Sequence, residues 1–296
     1  MLPGWVVLAV VLGLGMAAAS LVGPSPSRRF SASVLAALSF ATAAAASSDP
    51  PLLATICALA SLLPPIKVSQ LSADRTTRSA PFRIWHLVSP FDVRQTTRVP
   101  PALDRRAMAF LALHGALAAA GIVAVQRAAE LDGAARLAAR SIGGALGIYC
   151  ATSAAACLIT ASYRLGGIAV GTMHDAPILS RSLAEFWGQR WNRPVHAWLR
   201  QFFFVALARR GRPRLGVLAA FVASALIHAW IVLVPVGLAG AGMMLAFFGL
   251  QGLLVLVEDR LAVRRWSALA GRAWTVGALA LSAPLFLVPF LVALGL

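Results

Sequence analysis

The sequence predicts an all-α integral membrane protein with about eight transmembrane helices and further interfacial helices on the cytoplasmic side. Of its 296 residues, 59% are hydrophobic and only 12% are charged, and the mean hydropathy is +0.80. Soluble domains are about half apolar and a quarter charged, so both fractions indicate that lipid is the main solvent. A spanning helix needs about 20 mostly apolar residues. The chain therefore has room for eight spans, and we predict a single multi-pass membrane domain over 1–296.

Apolar runs separated by charged or Pro/Gly-rich segments mark the predicted spans. The second and third runs are short and alanine-rich, and Ser47-Ser48-Asp49-Pro50-Pro51 joins them. The first run lacks the basic start of a secretory signal and is longer than the apolar part of one, so we interpret it as a span. The predicted spans are 2–22, 31–47, 51–66, 107–126, 141–163, 215–236, 241–257 and 273–295.

The basic residues test this map, because hydropathy alone defined the spans. With the N-terminus outside, 23 of the 26 Lys and Arg residues fall in the four inside segments, which are 23–30, 67–106, 164–214 and 258–272. Only Arg127, Arg136 and Arg140 lie outside, as the positive-inside rule requires. We therefore interpret the net charge of +16 as membrane topology and not as nucleic-acid binding. The arginine- and alanine-rich composition favours a bacterial inner membrane.

Cys57, Cys150 and Cys157 lie in apolar stretches without metal-ligand spacing. The sequence therefore predicts neither a disulfide nor a metal site. The inside segments 67–106 and 164–214 are longer than connecting loops need to be, and both mix aromatic residues with arginines. That mixture is typical of helices at the membrane surface, where rings lie at headgroup depth and guanidinium groups reach water.

His228 is the first candidate for chemistry. It is the fourteenth residue of the predicted span 215–236, so it lies near the bilayer midplane, where an ionisable side chain is costly and indicates function. A neutral imidazole at this depth can accept a proton. The alternative is a histidine that bonds within its own helix, because Ser224 lies four residues earlier on the same face.

The aromatic and basic segment 180–200 is the second candidate. As a helix, it would place Arg190 and Arg193 on one face and Trp187 and Trp191 on another. A helix of this kind can lie flat on the membrane without any further role. On the pattern of this segment alone, both interpretations stay open.

Two features together resemble the wax synthase-like branch of the membrane-bound O-acyltransferases. One is Ser182-Leu-x-Glu-Phe-Trp-Gly-x-Arg-Trp-Asn192, and the other is Ser-x-x-x-His228, which ends 36 residues later. In that family a cytoplasmic Phe-Trp-x-x-Trp-Asn/His motif precedes a membrane-embedded histidine. Phe247-Phe-Gly-Leu-Gln-Gly252 and Glu258 resemble the segment that follows this histidine. The resemblance covers residues 174–260.

The resemblance implies transfer of a fatty acyl group from acyl-CoA to a lipophilic alcohol, without a cofactor beyond this co-substrate. It implies that His228 is the general base and that Asn192 is a second catalytic residue, whose amide donates to the oxyanion or holds the substrate. Ala229 follows His228 where many relatives have an acidic residue, so the group that orients the imidazole stays open. The predicted substrate-binding residues are Trp187, Arg190, Trp191, Arg193, His196, Ser224 and Gln251.

The predicted partners are acyl-CoA, reached from the cytoplasm, and an alcohol that enters from the membrane lipid. A long-chain alcohol is the first expectation, while diacylglycerol, a sterol or another hydroxyl compound stays open; the oligomeric state is not predicted. His174 with Asp175 is a weaker candidate, and His114 and His86 are expected to have packing and interfacial roles. The alternative functions are a transporter or channel that uses intramembrane histidines as a relay, and a non-catalytic relative that retains the motif.

Overall fold

The computed structural model describes residues 1–46, 50–74, 78–87 and 89–296, and most of them are helical. The predicted all-α class is confirmed. In chain order the α-helices are α1 (Gly4–Leu21), α2 (Pro26–Thr42), α3 (Pro51–Ala73), α4 (Ala80–His86), α5 (Arg105–Arg127), α6 (Gly133–Leu165), α7 (Leu183–Glu185), α8 (Arg193–Leu199), α9 (Val205–Ala208), α10 (Pro213–Val236), α11 (Leu238–Arg260) and α12 (Ala268–Ala293).

Short elements of other kinds connect these helices. The 3-10 turns are Ala43–Ala45, Val93–Gln95, Ala128–Glu130, Pro177–Leu179 and Val263–Arg265, and the π-helical segments are Phe186–Arg190 and Arg200–Phe204. Strands β1 (Thr97–Arg98) and β2 (Ile168–Ala169) form an antiparallel pair, with Thr97 opposite Ala169 and Arg98 opposite Ile168.

Seven helices in the described part of the chain are long and apolar enough to cross a membrane, namely α1, α3, α5 with its 3-10 extension, α6, α10, α11 and α12. The second predicted span, 31–47, corresponds to α2, which is shifted toward the N-terminus and has only 17 residues. The segment that was predicted to join α2 to α3 includes 47–49, which lie outside the described residues. The third predicted span, 51–66, continues as helix to Ala73.

The chain folds into two compact units. The first unit comprises Met1–Gln95, Ile227–Gly242 and Val292–Gly295. The second comprises Thr96–Leu226, Met243–Leu291 and Leu296. The helix α10 contributes to both units, because the division falls between residues 226 and 227. The single domain over 1–296 stays a prediction.

In the first unit, α2 lies antiparallel to α1 along the whole length of that helix. Two buried clusters show this arrangement, one at each end of α1. One cluster contains Ala18, Val22, Ala32, Ala36, Val68 and Leu71. The other contains Val7, Val11, Ala43, Ala46, Cys57 and Ala60. The helix α1 is long and apolar enough to span a bilayer, and α2 runs beside it.

The outer and inner faces of α2 also fit a spanning helix. Phe30, Val34 and Leu38 are exposed and recur every four residues, which gives one apolar stripe suited to lipid. On the inner face Ser39 is fully buried, and its Oγ donates to the Val11 carbonyl at 2.8 Å. Eight spans stay a prediction, and α2 with its terminal 3-10 turn is the candidate for the eighth.

A buried polar cluster holds the chain that follows α3. Lys67 is only 1% exposed, and its Nζ donates to the Phe91 carbonyl at 2.6 Å and to Gln70 Oε1 at 3.0 Å. The same Nζ lies 3.5 Å from Nε2 of His86, whose ring is fully buried. A buried ammonium is tolerated only when its hydrogens have acceptors, so these contacts hold His86 and Phe91 against α3.

In the second unit, glycines allow α5 and α6 to pack closely. A Cβ atom at Gly121 would lie 2.6 Å from the backbone nitrogen of Gly147 and 2.8 Å from the carbonyl oxygen of Gly143. Both distances are far below van der Waals contact, so only glycine fits at position 121. Small residues at this spacing are common where membrane helices approach each other.

Candidate functional site

The motif segment 182–192 begins at the N-terminus of α7, which is capped by two reciprocal side-chain hydrogen bonds. Ser182 is the N-cap of α7, and its hydroxyl accepts from the Glu185 backbone N–H at 3.0 Å. Glu185 reaches back, and its Oε2 accepts from the Arg181 N–H at 2.8 Å. This reciprocal arrangement is a variant of the capping box, and it explains the Ser-x-x-Glu start of the motif.

Glu258 completes the cap from a distant part of the chain. Its two carboxylate oxygens accept from the backbone N–H groups of Leu183 at 2.6 Å and Ala184 at 3.0 Å. Trp274 Nε1 donates to the same carboxylate at 3.2 Å. Glu258 is 2% exposed, and these three N–H donors satisfy its buried carboxylate. The structure gives this residue an anchoring role that the sequence pattern did not indicate.

After α7 the backbone widens into the π-helical segment Phe186–Arg190. The Trp191 N–H donates to the Phe186 carbonyl at 2.8 Å, which closes one wide turn. Asn192 then has φ of 41° and ψ of 54°, a left-handed conformation that asparagine tolerates better than most residues. Pro194 lies in the first turn of α8, where its missing N–H is not needed.

The segment 173–175 holds this bend from its other side. The Arg193 N–H donates to the Met173 carbonyl at 2.9 Å, and the Asp175 N–H donates to the Arg190 carbonyl at 2.8 Å. Between these two bonds, the Asn192 N–H donates to Nδ1 of His174 at 3.2 Å. The left-handed residue is therefore fixed by backbone bonds on both sides and by an imidazole in the middle.

The hydrogen bonds of His174 define its tautomer. Because Nδ1 accepts from Asn192, the proton of a neutral ring lies on Nε2, which is 3.3 Å from Oγ1 of Thr152. Thr152 gives its own hydroxyl proton to the Ile148 carbonyl at 2.8 Å, so its oxygen can accept from Nε2. Burial, and to a smaller extent the charge of His114, lowers the pKa of His174 to about 4. The imidazole is therefore neutral at physiological pH.

The stability of the chain is expected to decrease between pH 6.5 and about 4 because of His174. An unfolded histidine binds a proton below its ordinary pKa of 6.5, whereas the folded His174 does so only below about 4. Its contribution to stability is therefore complete above pH 6.5 and is lost as the pH falls through this window. The measurement is the melting temperature as a function of pH for the natural chain and for His174→Asn, whose Oδ1 can replace Nδ1 as the acceptor.

The melting temperature of His174→Asn is expected to fall less than that of the natural chain between pH 6.5 and about 4. His86, whose pKa is lowered to about 3 by burial and by the charge of Lys67, is present in both proteins, so its effect cancels in the comparison. Parallel curves for the two proteins would show that His174 does not titrate in this way.

Aromatic rings surround the bend. The rings of His174 and Trp191 are 4.5 Å apart, and Phe186 stacks on Trp191 at 5.7 Å with an interplanar angle of 9°. Tyr149 of α6 lies 5.6 Å from His174 and 6.1 Å from Trp191. Within the second unit the motif is thus packed on α6 through the cluster Tyr149, His174, Phe186 and Trp191, which we call the aromatic cluster. Tyr149, Thr152 and His174 complete the site, and no motif pointed to the first two.

The side chain of Asn192 ends in a buried acceptor. Its Oδ1 is inaccessible and accepts no hydrogen bond from the residues that the structure describes. A buried polar atom without a partner costs about 1–3 kcal/mol, and native proteins have few of them. The backbone of Asn192 is therefore tightly held, while its amide oxygen has no partner among the described residues.

Arg190 and Arg193, the two arginines predicted to bind substrate, differ in their environment. Arg190 Nε donates to Glu185 Oε1 at 2.6 Å, and its NH1 donates to the Asp175 carbonyl at 3.0 Å, so this guanidinium is largely used within the fold. This ion pair and the Arg181 N–H outweigh burial and lower the pKa of Glu185. Arg193 is exposed, and its NH1 donates to Thr172 Oγ1 at 2.7 Å.

Trp187 and Gln251 contact each other. Trp187 Nε1 donates to Gln251 Oε1 at 3.1 Å, and Gln251 Nε2 donates to Ser282 Oγ at 2.8 Å. Gln251 is fully buried, and Trp187 also packs against Phe247 and Phe248 of α11. This chain of bonds attaches the motif to α11 and α12. Both residues lie beside the predicted site, and Trp187 Nε1, Gln251 Oε1 and Gln251 Nε2 already have hydrogen-bond partners within the protein.

His196 and Ser224 also belong to the second unit. His196 lies on α8 with Nε2 close to Gly188, where an added Cβ atom would be 3.9 Å away. Burial, followed by the charge of Arg200, lowers its pKa. Ser224 is buried on α10. His114 of α5 has Nδ1 at 2.8 Å from the Phe110 carbonyl of the same helix, and the packing role expected for it stays a prediction.

His228 belongs to the first unit and lies on α10, as predicted. It is half-buried. Two residues later, Trp230 donates through Nε1 to Ser61 Oγ at 3.1 Å and stacks on Phe40 at 4.3 Å. These contacts fix this part of α10 against α2 and α3. The structure thus brings Trp187, Arg190, Trp191, Asn192 and Arg193 into one bend, and a shared site with His228 stays a prediction.

The comparisons with known proteins concern this same region. Residues 170–250 match the family described as "Membrane bound O-acyl transferase family". The Arabidopsis thaliana protein "Probable long-chain-alcohol O-fatty-acyltransferase 2" is 31% identical over 123 residues, which are 37% of this chain and 36% of that protein. "Probable long-chain-alcohol O-fatty-acyltransferase 3" from the same plant is 32% identical over 132 residues, which are 40% of this chain and 39% of that protein.

The matched regions thus span under two fifths of the length of either curated relative. They confirm the resemblance predicted from the motif and the intramembrane histidine. Over residues 170–250, this chain is similar to the membrane-bound O-acyltransferases, and the two plant proteins indicate their wax synthase-like branch.

Proposed function

We propose that the chain is a membrane-embedded O-acyltransferase that transfers a fatty acyl group from acyl-CoA to a lipophilic alcohol. The main support is the fixed bend at Asn192, with its buried and unpaired amide oxygen, inside the region that matches the family. The two similar plant proteins are named for acyl transfer to long-chain alcohols, so a long-chain alcohol is the acceptor we propose first. The same similarity favours an enzyme over a transporter.

In the proposed reaction, the imidazole of His228 removes the proton of the alcohol as its oxygen attacks the thioester carbonyl. The carbonyl oxygen becomes an oxyanion, and the amide of Asn192 donates a hydrogen bond to it. The intermediate then collapses, the carbon–sulfur bond breaks, and the protonated His228 returns its proton to the CoA thiolate. The products are an ester and free CoA, and no further cofactor is required.

We propose that Arg193 contacts the phosphates of acyl-CoA. It is exposed, and a single bond to Thr172 uses one of its five N–H donors. Arg190 adds positive charge near Arg193, while its Nε and NH1 donate hydrogen bonds that hold the bend at Asn192. Trp187, Trp191, His196, Ser224 and Gln251 would form the walls around the two substrates.

The test is an acyl-CoA assay with membranes that contain the chain. Several alcohols are offered separately, among them a long-chain alcohol, diacylglycerol and a sterol, and both the ester and released thiol are measured. Membranes without the chain are the control. We expect ester and thiol in equal amounts with at least one alcohol. Absence of both products with every alcohol would contradict the proposed function and favour a non-catalytic relative.

We also propose that the chain lies in a bacterial inner membrane with its N-terminus outside and eight spans. The positive-inside rule then places the motif in the cytoplasm, where acyl-CoA is available. Ser27→Cys at the start of α2 is expected to be protected from an impermeant maleimide in intact cells, while Ala134→Cys is expected to be labelled. Both positions are exposed in the structure.

Labelling is repeated after the membrane is opened, where Ser27→Cys should become reactive, and the chain without either substitution controls for its three native cysteines. Labelling of Ser27→Cys in intact cells would contradict the arrangement. It would mean that α2 does not cross the bilayer and that the N-terminus is inside.

A further inference from the structure

A second polar site lies in the first unit, away from the motif in sequence. It is a cavity of about 420 Å³ at the C-terminal ends of α1 and α3 and the start of α2. Val22 and Leu71 give it apolar walls, while Arg29, Arg78, Arg83 and Asp74 give it charged ones. The cavity volume is in the range of small-molecule sites.

Positive charge dominates the lining of this cavity. Asp74 is the one acidic residue among the described lining residues, and it pairs with Arg78 at 3.1 Å. Arg29 and Arg83 have no carboxylate partner within the part of the chain that the structure describes. Arg29 is anchored by a bond from Nε to the Gly23 carbonyl at 3.0 Å, which leaves the other N–H donors of its guanidinium outside that bond.

Arg83 supplies the most specific observation. Its terminal nitrogens donate to the Val22 carbonyl and, at 2.8 Å, to the Ser20 carbonyl, so the guanidinium sits at the open end of α1. Its Nε is buried and has no hydrogen-bond partner among the residues that the structure describes. A guanidinium N–H in that position is costly unless a ligand accepts from it.

Positive charge near Arg83 would further stabilise a bound anion. Burial, and then the charge of Arg28, lowers the pKa of Arg83, so two cations lie near each other in a partly desolvated place. The N-terminus of α2, capped by Ser25, adds the positive end of a helix dipole beside Pro24 and Arg29 of the lining. An anion bound here would be stabilised by each of these groups.

We propose that this cavity binds a phosphate group, with Arg29, Arg78 and Arg83 as its ligands. Arginine suits phosphate because its planar guanidinium donates two parallel hydrogen bonds. The apolar walls and the position at the ends of the apolar helices α1 and α3 fit a phospholipid headgroup, and the same chemistry would accept the phosphate of a soluble metabolite. The site does not depend on acyl transfer.

The test measures binding to the purified chain in an uncharged detergent by native mass spectrometry. Dioctanoyl phosphatidylglycerol is compared with dioctanoylglycerol, which has the same acyl chains without the phosphate. Arg29→Gln and Arg78→Gln are each expected to weaken phosphatidylglycerol binding at least about tenfold, because each removes a charged hydrogen-bond donor. Arg136→Gln, an exposed arginine at the start of α6, is the matched control and is expected to bind like the natural chain.

Competition then identifies the source of the phosphate. Displacement by inorganic phosphate or CoA would identify a soluble ligand, whereas lack of displacement would identify the lipid. Equal binding of dioctanoylglycerol, or equal affinity of Arg29→Gln, Arg78→Gln and the control, would overturn the proposal. Arg83→Gln is measured as well, with its melting temperature, because Arg83 also caps α1.

Discussion

Replacement of His228 by alanine is expected to lower the rate of ester formation about a hundred- to ten-thousandfold. An alcohol has a very high pKa, so its oxygen attacks a thioester slowly unless a base takes the proton during the attack. His228 lies within the long apolar helix α10, where bulk water cannot replace an imidazole. The measurement is the initial rate of ester formation at saturating acyl-CoA, divided by the amount of chain in the membranes.

His228→Gln is tested beside it, because glutamine keeps hydrogen-bonding capacity but cannot accept the proton. Both variants should therefore be equally inactive. His114→Leu is the matched control, since His114 also lies in a spanning helix and its Nδ1 contacts the Phe110 carbonyl of that same helix. A rate for His228→Gln close to that of the natural chain would exclude His228 as the base and leave a structural role.

The fold class could be predicted because lipid imposes a simple rule on the sequence. Backbone groups inside a bilayer must pair within the same segment, so long apolar runs become helices whatever their neighbours are. Lys67 shows where this rule stops. As a lysine it was expected to end a span, yet it lies inside α3, because Phe91 and Gln70 supply acceptors for its ammonium. Such long-range acceptors are not visible in hydropathy.

The candidate site was predictable where a motif exists, and much less so elsewhere. The segment 182–192 was found from its pattern, and the structure shows that the pattern encodes a cap, a wide turn and a left-handed residue. The partners that hold this bend come from other parts of the chain. Glu258 is far from α7 in sequence, and Thr152 lies on a helix that precedes the motif. Side-chain partners of this kind depend on tertiary packing, which a single sequence does not reveal.

Trp187 and Gln251 show that a motif residue can have a different role from the one predicted for it. Both were predicted to contact substrate because they belong to the resembling segments. In the structure Trp187 donates to Gln251, and Gln251 donates to Ser282, so the pair attaches the motif to α11 and α12. A motif identifies the residues that a family requires. It does not tell whether a given residue contacts a ligand or positions another residue that contacts the ligand.

Asn192 allows that separation to be tested, because its backbone and its side chain can be altered independently. Asn192→Gly removes the amide and accepts the left-handed conformation without strain, while Asn192→Ala removes the same amide and disfavours that conformation by about 1–2 kcal/mol. In both variants the backbone N–H can still donate to His174. If the amide stabilises the oxyanion, both variants are expected to lose about a hundred- to a thousandfold in rate.

The melting temperature distinguishes this result from a conformational role. With a catalytic amide, Asn192→Gly should melt close to the natural chain and still be inactive, and Asn192→Ala should be both inactive and less stable. With a purely conformational role, Asn192→Gly should retain activity and only Asn192→Ala should lose it. The Oδ1 of Asn192 is buried and has no partner among the described residues, and a left-handed backbone alone does not require an amide there, so we expect the first pattern.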